Sequence, residues 1–138
     1  MREYPDTLPS LATTFIKRSR IAMLDGQPEE GMENLLSAAW ACDDQNLNEL
    51  SKQLRLGCVS IIDANPTKWE GDDGRIQAAD IMRRAGLFDR AIELCSKKPF
   101  ASDLHNKIAA FEIQMAREGR DGCFNVGHVL RKQPLPTE

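Results

Sequence analysis

The sequence has few aromatic residues and no long apolar run, and these shortages exclude several classes of protein. Aromatic residues make up 6% of the 138 positions, and runs of β-branched residues are nearly absent, so the composition favours helix over strand. No stretch approaches the roughly 18 apolar residues that a membrane-spanning helix needs. The N-terminal residues MREYPDTLPS lack the apolar core of a secretory signal. We therefore expect a cytoplasmic protein with no membrane partner.

Positive charge and closely spaced cysteines are also scarce. The net charge of −3 gives the chain no overall attraction to phosphate backbones, so no nucleic-acid partner is expected. The four cysteines are separated by 16, 37 and 28 residues, which excludes the CxxC spacing of zinc ribbons and thioredoxin-like proteins. The length suits one domain with a real core, and the apolar (41%) and charged (28%) fractions are typical of a globular protein.

Apolar residues recur at helical spacing along the first half of the chain. One helix is predicted over residues 10–24 and a second over about 28–42, where a proline occupies the favoured first turn. A third helix is predicted to begin near Asn46, which is followed by a glutamate at the spacing of an N-terminal cap. Pro66 ends it, because proline pushes the preceding residue out of helical geometry.

The second half of the chain contains the same kind of pattern with clear start and stop residues. Asp72 or Asp73 is predicted to cap a fourth helix, and Gly86 separates that helix from a fifth, which Pro99 ends. Ser102 is predicted to cap a sixth helix. The sequence therefore predicts an all-α fold.

The predicted organisation is a single helical domain over residues 1–130 with a flexible tail over 131–138. It contains six helices, and a short seventh is predicted over about residues 123–130. Because short loops join consecutive helices, neighbouring helices are expected to be antiparallel.

The order of residues around Gly86 resembles the middle of a tetratricopeptide repeat. Ala79 provides the small residue of a first helix, Gly86 the turn, Phe88 an aromatic after the turn, and Ala91 a second small residue. Similar frames surround Gly26 and, more loosely, Gly119, and Gly86 and Gly119 are 33 residues apart, close to the 34-residue period of that family. The resemblance implies hairpins stacked as a short right-handed superhelix.

The resemblance also implies where a partner binds, because the first helix of each hairpin lines the concave face of such an array. Since arginine pairs bidentately with carboxylates, the implied ligand is an acidic peptide or a protein segment. The alternative is that these arginines simply face water. Trp69 is a further candidate contact, with packing as the alternative. The residues that the resemblance places towards the groove are Arg20, Gln77, Asp80, Arg83, Arg84, Ile113 and Arg117.

Residues with reactive side chains fit packing roles better than catalysis. Cys42, Cys58 and Cys95 lie in apolar helical stripes and are predicted to be inert core residues. Trp40 is predicted to pack between hairpins.

Candidate metal and phosphate sites are weak. Cys123 and His128 are five residues apart, which places them on nearly opposite faces of a helix. The EGDDG segment (70–74) lacks the alternating oxygen ligands of a calcium loop, and no glycine-rich phosphate loop occurs. We therefore expect no metal, no cofactor and no enzymatic activity.

The sequence therefore predicts a non-catalytic protein-interaction module, an adaptor or regulatory domain with a protein or acidic peptide as partner. The alternative is a structural bundle that self-associates as a homodimer. The binding part of the prediction comes from the resemblance, since fold alone does not determine function.

Overall fold

The computed structural model describes residues 8–122, and within that range it is all-α, with six α-helices and no strand. The all-helical prediction is thus confirmed for these residues. The predicted seventh helix (123–130) and tail (131–138) lie outside them. The helices are α1 (Ser10–Leu24), α2 (Pro28–Asp43), α3 (Asn48–Ala64), α4 (Asp72–Arg84), α5 (Phe88–Ser96) and α6 (Asp103–Arg117), with a 3₁₀ turn at Pro66–Trp69 between α3 and α4.

The chain divides into two compact units, with the boundary after Trp69. The first unit contains α1 to α3, and α2 packs against both of its neighbours. The second unit contains α4 to α6, in which each helix packs against the other two. None of the helices in residues 8–122 is long and apolar enough to cross a bilayer.

Four helices end with the same turn, although they lie in both units. In each turn one residue adopts a left-handed conformation, and the next amide donates a hydrogen bond of 2.8–2.9 Å to the carbonyl five residues earlier. This is the Schellman arrangement, which satisfies the last carbonyls of a helix. The left-handed residues are Gly26, Asn46, Gly86 and Gly119, with φ angles of 72°, 58°, 84° and 66°.

Asn46 is therefore the end of one helix and not the cap of the next, so the predicted capping role is wrong. Leu47 precedes the first residue of α3, and no side-chain capping hydrogen bond forms there. Asparagine takes this position because its short polar side chain tolerates positive φ better than most residues. By contrast, Ser102 does cap α6, since its hydroxyl accepts a hydrogen bond from the backbone amide of His105 at 3.1 Å.

Small residues let α1 and α2 approach closely in the first unit. The Ser19 hydroxyl donates a 2.6 Å hydrogen bond to the carbonyl of Gly31. A β-carbon at Gly31 would lie only 2.5 Å from the sulfur of Met23. Because the nearest backbone atom, the carbonyl oxygen of Ser19, would lie at 3.4 Å, a larger residue at Gly31 would mainly displace the flexible, partly exposed Met23 side chain.

The second unit has a mixed core of small and aromatic residues. Ala79, Cys95, Phe100 and Ala109 are buried together, and half-buried apolar side chains of α4, α5 and α6 pack around them. Arg75 lies on this core, with its guanidinium carbon 3.6 Å from the centroid of the Phe100 ring. The arginine is buried, so its charge must be matched inside the unit.

Candidate functional site

The structure brings three of the predicted groove residues into one polar cluster in the second unit. Asp80, Arg83 and Arg84 lie within the last two turns of α4, and Glu112 of α6 completes what we call the α4–α6 cluster. Arg83 donates from Nε to Glu112 Oε2 at 2.7 Å and from Nη2 to Asp80 Oδ1 at 3.1 Å. Arg84 Nε lies 3.1 Å from Asp80 Oδ2, an ion-pair distance without hydrogen-bond geometry.

Arg83 also holds the chain that follows α6. Its Nη1 donates to the carbonyls of Arg120 at 2.9 Å and of Gly122 at 2.8 Å. The side chain is completely buried, so Arg83 has no exposed surface to offer a peptide. Arg83 therefore holds two segments of the second unit together, whereas the resemblance implied that it faces a binding groove.

Burial dominates the electrostatics of the cluster. Glu112 is only 4% exposed, and this burial, together with the charge of Asp80 and a hydrogen bond to it, raises the pKa of Glu112 to about 8, although Arg83 opposes the change. Perturbed carboxyl groups occur at catalytic sites, but they also occur in structural ion-pair networks. Since Arg83 joins Glu112 to backbone carbonyls, the arrangement here fits a structural network.

Two further arginines are also buried and bind groups within their own unit. Arg55 of α3 makes a bidentate ion pair with Asp43 at the end of α2, at 2.6 and 3.2 Å, and also donates to Ser51. Arg75 donates from Nη1 to the carbonyls of Leu94 at 3.3 Å and Lys98 at 2.8 Å, around the end of α5. A cation at the C-terminal end of a helix is favourable because the unpaired carbonyls there carry partial negative charge.

Two aspartates in the first turn of α4 contact the start of α6 and the residues just before it. Asp72 accepts a hydrogen bond from the amide of Ala101 at 2.9 Å, and Asp73 lies 2.6 Å from His105 Nε2. The aspartates occupy the first turn of α4, and neither makes a side-chain cap, so the predicted capping role is wrong. Within residues 8–122, no three histidine, cysteine or acidic side chains converge as metal ligands.

His105 also contacts Ser102 through Nδ1 at 2.5 Å, which gives a serine–histidine–aspartate chain. Such a chain activates a serine when the nucleophile is available and water is excluded. Here the Ser102 hydroxyl already serves as the cap of α6, and the Asp73 side chain is 98% exposed. We therefore interpret the chain as a surface contact that fixes the start of α6.

The cysteines within residues 8–122 are buried free thiols, which confirms the predicted packing role. Burial raises the pKa of the Cys58 and Cys95 thiols to about 12 and also raises the pKa of Cys42. Because the thiolate is the reactive form of cysteine, these thiols are poor nucleophiles at neutral pH.

The two tryptophans lie in different environments, and Trp69 is buried, as the packing alternative for it predicted. Trp69 is buried at the end of the 3₁₀ turn, whereas Trp40 on α2 is 50% exposed, so the prediction that Trp40 packs between hairpins is wrong. Helix α2 buries both flanks against α1 and α3, using small residues such as Ala38 and Ala41. Trp40 lies on the narrow stripe that remains, beside Glu33 and other solvent-facing residues.

Exposed apolar side chains are concentrated in the first unit. Large apolar residues exposed in this way mark interaction surfaces when they cluster. Leu104 of α6 is the one large exposed hydrophobic side chain in the described part of the second unit. Those in the first unit are Leu11, Ile21, Met23, Leu24 and Trp40.

The other predicted groove residues differ from one another in burial. Ile113 packs against the core around Phe100. Arg20 and Gln77 are half-buried and Arg117 is exposed. Sequence reasoning missed Glu112, although a signal existed: the glutamate stands four residues after Ile108 and three before Met115, inside the apolar stripe of α6.

Comparison with known proteins finds no match to a family model, to a curated protein or to a solved structure. The resemblance to tetratricopeptide repeats therefore stays a prediction from the residues.

Proposed function

We propose that this chain is a non-catalytic protein-interaction module, an adaptor or regulatory domain that binds a peptide or protein segment. The exposed apolar side chains of α1 and α2 carry the proposal. Leu24 is 81% exposed and Ile21 60%, and each such side chain favours transfer out of water by about 1.5–3 kcal/mol when it is fully covered. A partner that covers several of them gains a substantial part of its binding free energy.

The finer architecture that we propose is a tetratricopeptide-like array of helical hairpins. Support comes from the shared left-handed turn at the ends of α1, α2, α4 and α6. In such an array Arg117 and the partly exposed Arg84 form a second contact for acidic groups of the partner. The cytoplasm is the compartment that we propose, because buried free thiols persist in a reducing environment.

Self-association is the second candidate function, and the same exposed apolar residues favour it. Two copies that cover Trp40 and the apolar residues of α1 would form a homodimer with a structural role. Light scattering tests the second candidate, since the structural bundle requires a dimer in solution whereas the binding module does not.

The test compares the wild type with Ile21→Ser/Leu24→Ser, using Leu104→Ser as a control that removes an exposed leucine from the second unit. Each protein is immobilised and exposed to extract from the source cells, and retained proteins are identified by mass spectrometry. We expect at least one protein to be retained by the wild type and the control and lost from the double variant. Equal retention by all three would contradict the proposal, and a dimer that only the double variant abolishes would favour self-association.

A further inference from the structure

The outer face of α1 combines exposed apolar and basic residues at helical spacing. Helix α1 packs against α2, and the residues that it buries include Ala12, Ile16 and Ala22. The exposed residues recur every three or four positions, as in one side of a helix–helix interface. The α1 outer face consists of Leu11, Thr14, Lys17, Arg18, Ile21 and Leu24.

The charge on this face has one sign. Lys17 and Arg18 are exposed at the middle of the helix, between Leu11 and Ile21, and the sequence SLATTFIKRSRIAML contains no acidic residue. The guanidinium carbon of Arg18 lies 5.8 Å from the centroid of the Phe15 ring, within the range of a cation–π contact. An apolar surface with central cations complements an apolar surface that carries carboxylates.

We propose that the α1 outer face binds an acidic amphipathic helix of another protein. Apolar residues of that helix cover Leu11, Ile21 and Leu24, and its glutamate or aspartate residues pair with Lys17 and Arg18. This inference rests on the proposed function and names the surface and the chemistry of the partner. The binding mode is the packing of one amphipathic helix along another.

The position of the cations argues against a symmetric dimer in which α1 packs against α1 of a second copy. Lys17 is the central residue of the fifteen in α1. When two copies of α1 pair about a two-fold axis, antiparallel packing places Lys17 and Arg18 opposite the same residues of the other copy. Parallel packing in register does so as well. Like charges placed together in an interface weaken it and select against that partner.

A membrane surface fits this face less well than an acidic helix. Recognition of anionic lipid typically uses clusters of about 4–8 basic residues, whereas this face has two and the whole chain carries a net charge of −3. Vesicle binding is therefore included in the experiment as a competing outcome.

The experiment measures binding of designed peptides to the full chain by fluorescence anisotropy. Each peptide is a labelled 20-residue helix with leucine along one face, flanked by glutamate in one peptide and by lysine in the other. We expect the glutamate peptide to bind the wild type about tenfold more tightly than the lysine peptide, and less tightly as salt increases. Lys17→Glu/Arg18→Glu should reverse the preference, whereas the matched control Lys97→Glu/Lys98→Glu should retain it.

Four outcomes overturn the inference. They are binding of neither peptide, equal binding of both, a preference that the α1 reversal leaves unchanged, and binding to phosphatidylserine vesicles in place of the glutamate peptide. Circular dichroism of both variants checks that they remain folded. The proposed function survives such a failure if the Ile21→Ser/Leu24→Ser variant still loses its retained protein, so the two failures are distinguishable.

Discussion

The two units of the chain differ in which residues they expose and which they bury. The first unit presents large apolar side chains to solvent, with Leu24 and Trp40 as the clearest examples, whereas the second unit buries the arginine Arg83 and its carboxyl partner Glu112. An exposed apolar face gains free energy only when something covers it. A buried ion pair costs desolvation and must be matched internally. The proposed binding therefore depends on the exposed apolar residues of the first unit, whereas the buried charged residues of the second unit hold its own helices together.

Both units contain a buried arginine, but they differ in how deeply its carboxyl partner is buried. In the first unit Arg55 pairs with Asp43, whose side chain is still 24% exposed. In the second unit Arg83 and Glu112 are both almost fully buried. If the arginine is removed, water can therefore hydrate Asp43 but not Glu112. Loss of Arg83 should thus lower the free energy of unfolding more than loss of Arg55.

The largest effect that we predict is for Arg83→Ala. The substitution leaves Glu112 and the carbonyls of Arg120 and Gly122 without their buried donor, and we expect a loss of about 3–5 kcal/mol in the free energy of unfolding. The control is Arg84→Ala, which removes the neighbouring arginine, whose side chain is 14% exposed and whose ion pair with Asp80 lacks hydrogen-bond geometry; this loss should cost less, about 1–2 kcal/mol. Urea unfolding followed by circular dichroism at 222 nm measures both.

Tryptophan fluorescence shows which unit is weakened, since both tryptophans of the chain, Trp40 and Trp69, lie in the first unit. We expect Arg83→Ala to move the circular dichroism transition to lower urea and to move the fluorescence transition less. A cost below about 1 kcal/mol for Arg83→Ala would show that the α4–α6 cluster contributes little to stability and would remove the contrast between the units.

A pH dependence of somewhat smaller size is predicted for the same cluster. Burial raises the pKa of Glu112 to about 8 in the folded state, above its ordinary value of about 4.5, so the folded state binds the proton more tightly than the unfolded state. The contribution of the Glu112 proton to the free energy of unfolding is therefore fully present below the pKa of the unfolded state. It is lost as the pH rises through the pKa of the folded state. We expect the free energy of unfolding to fall by about 2–4 kcal/mol between pH 5 and pH 8.5.

Glu112→Gln isolates this contribution, because the amide keeps the size of the side chain and does not titrate. The difference in unfolding free energy between wild type and variant, measured by urea denaturation at several pH values, should change steadily across that range. A difference independent of pH would contradict the raised pKa of Glu112 and would leave the cluster as an ordinary ion pair.

Much of the fold follows from local patterns in the sequence. Helix α1 begins and ends at the predicted residues, Pro28 starts α2, and Ser102 caps α6. These features depend on the backbone preferences of single residues and on apolar spacing, both of which are visible in one chain. Elements of this kind need no knowledge of distant contacts.

The candidate site was far less predictable, because it depends on pairing between distant residues. Arg83 and Glu112 are 29 positions apart, and an arginine that faces a groove has the same helical spacing as one that turns inward. Trp40 was misplaced for a similar reason, since burial of both flanks of α2 depends on how closely α1 and α3 approach it. Only the charged residue inside an apolar stripe, as at Glu112, indicated a buried ion pair.

The smallest predicted effect compares the same turn in the two units. Asn46 and Gly119 both adopt positive φ, 58° and 66° respectively, and asparagine tolerates this conformation less well than glycine. Asn46→Gly should therefore stabilise the first unit by about 0.5–1 kcal/mol. Gly119→Asn should destabilise the second unit by a similar amount. The cost at Gly119 comes from the positive φ alone, because an added β-carbon meets no atom within 4 Å. Thermal unfolding of both variants measures the shifts. Opposite signs would show that backbone conformation alone determines the residue at these turns, whereas a loss of stability in both would mean that the Asn46 side chain makes a contribution of its own to the end of α2.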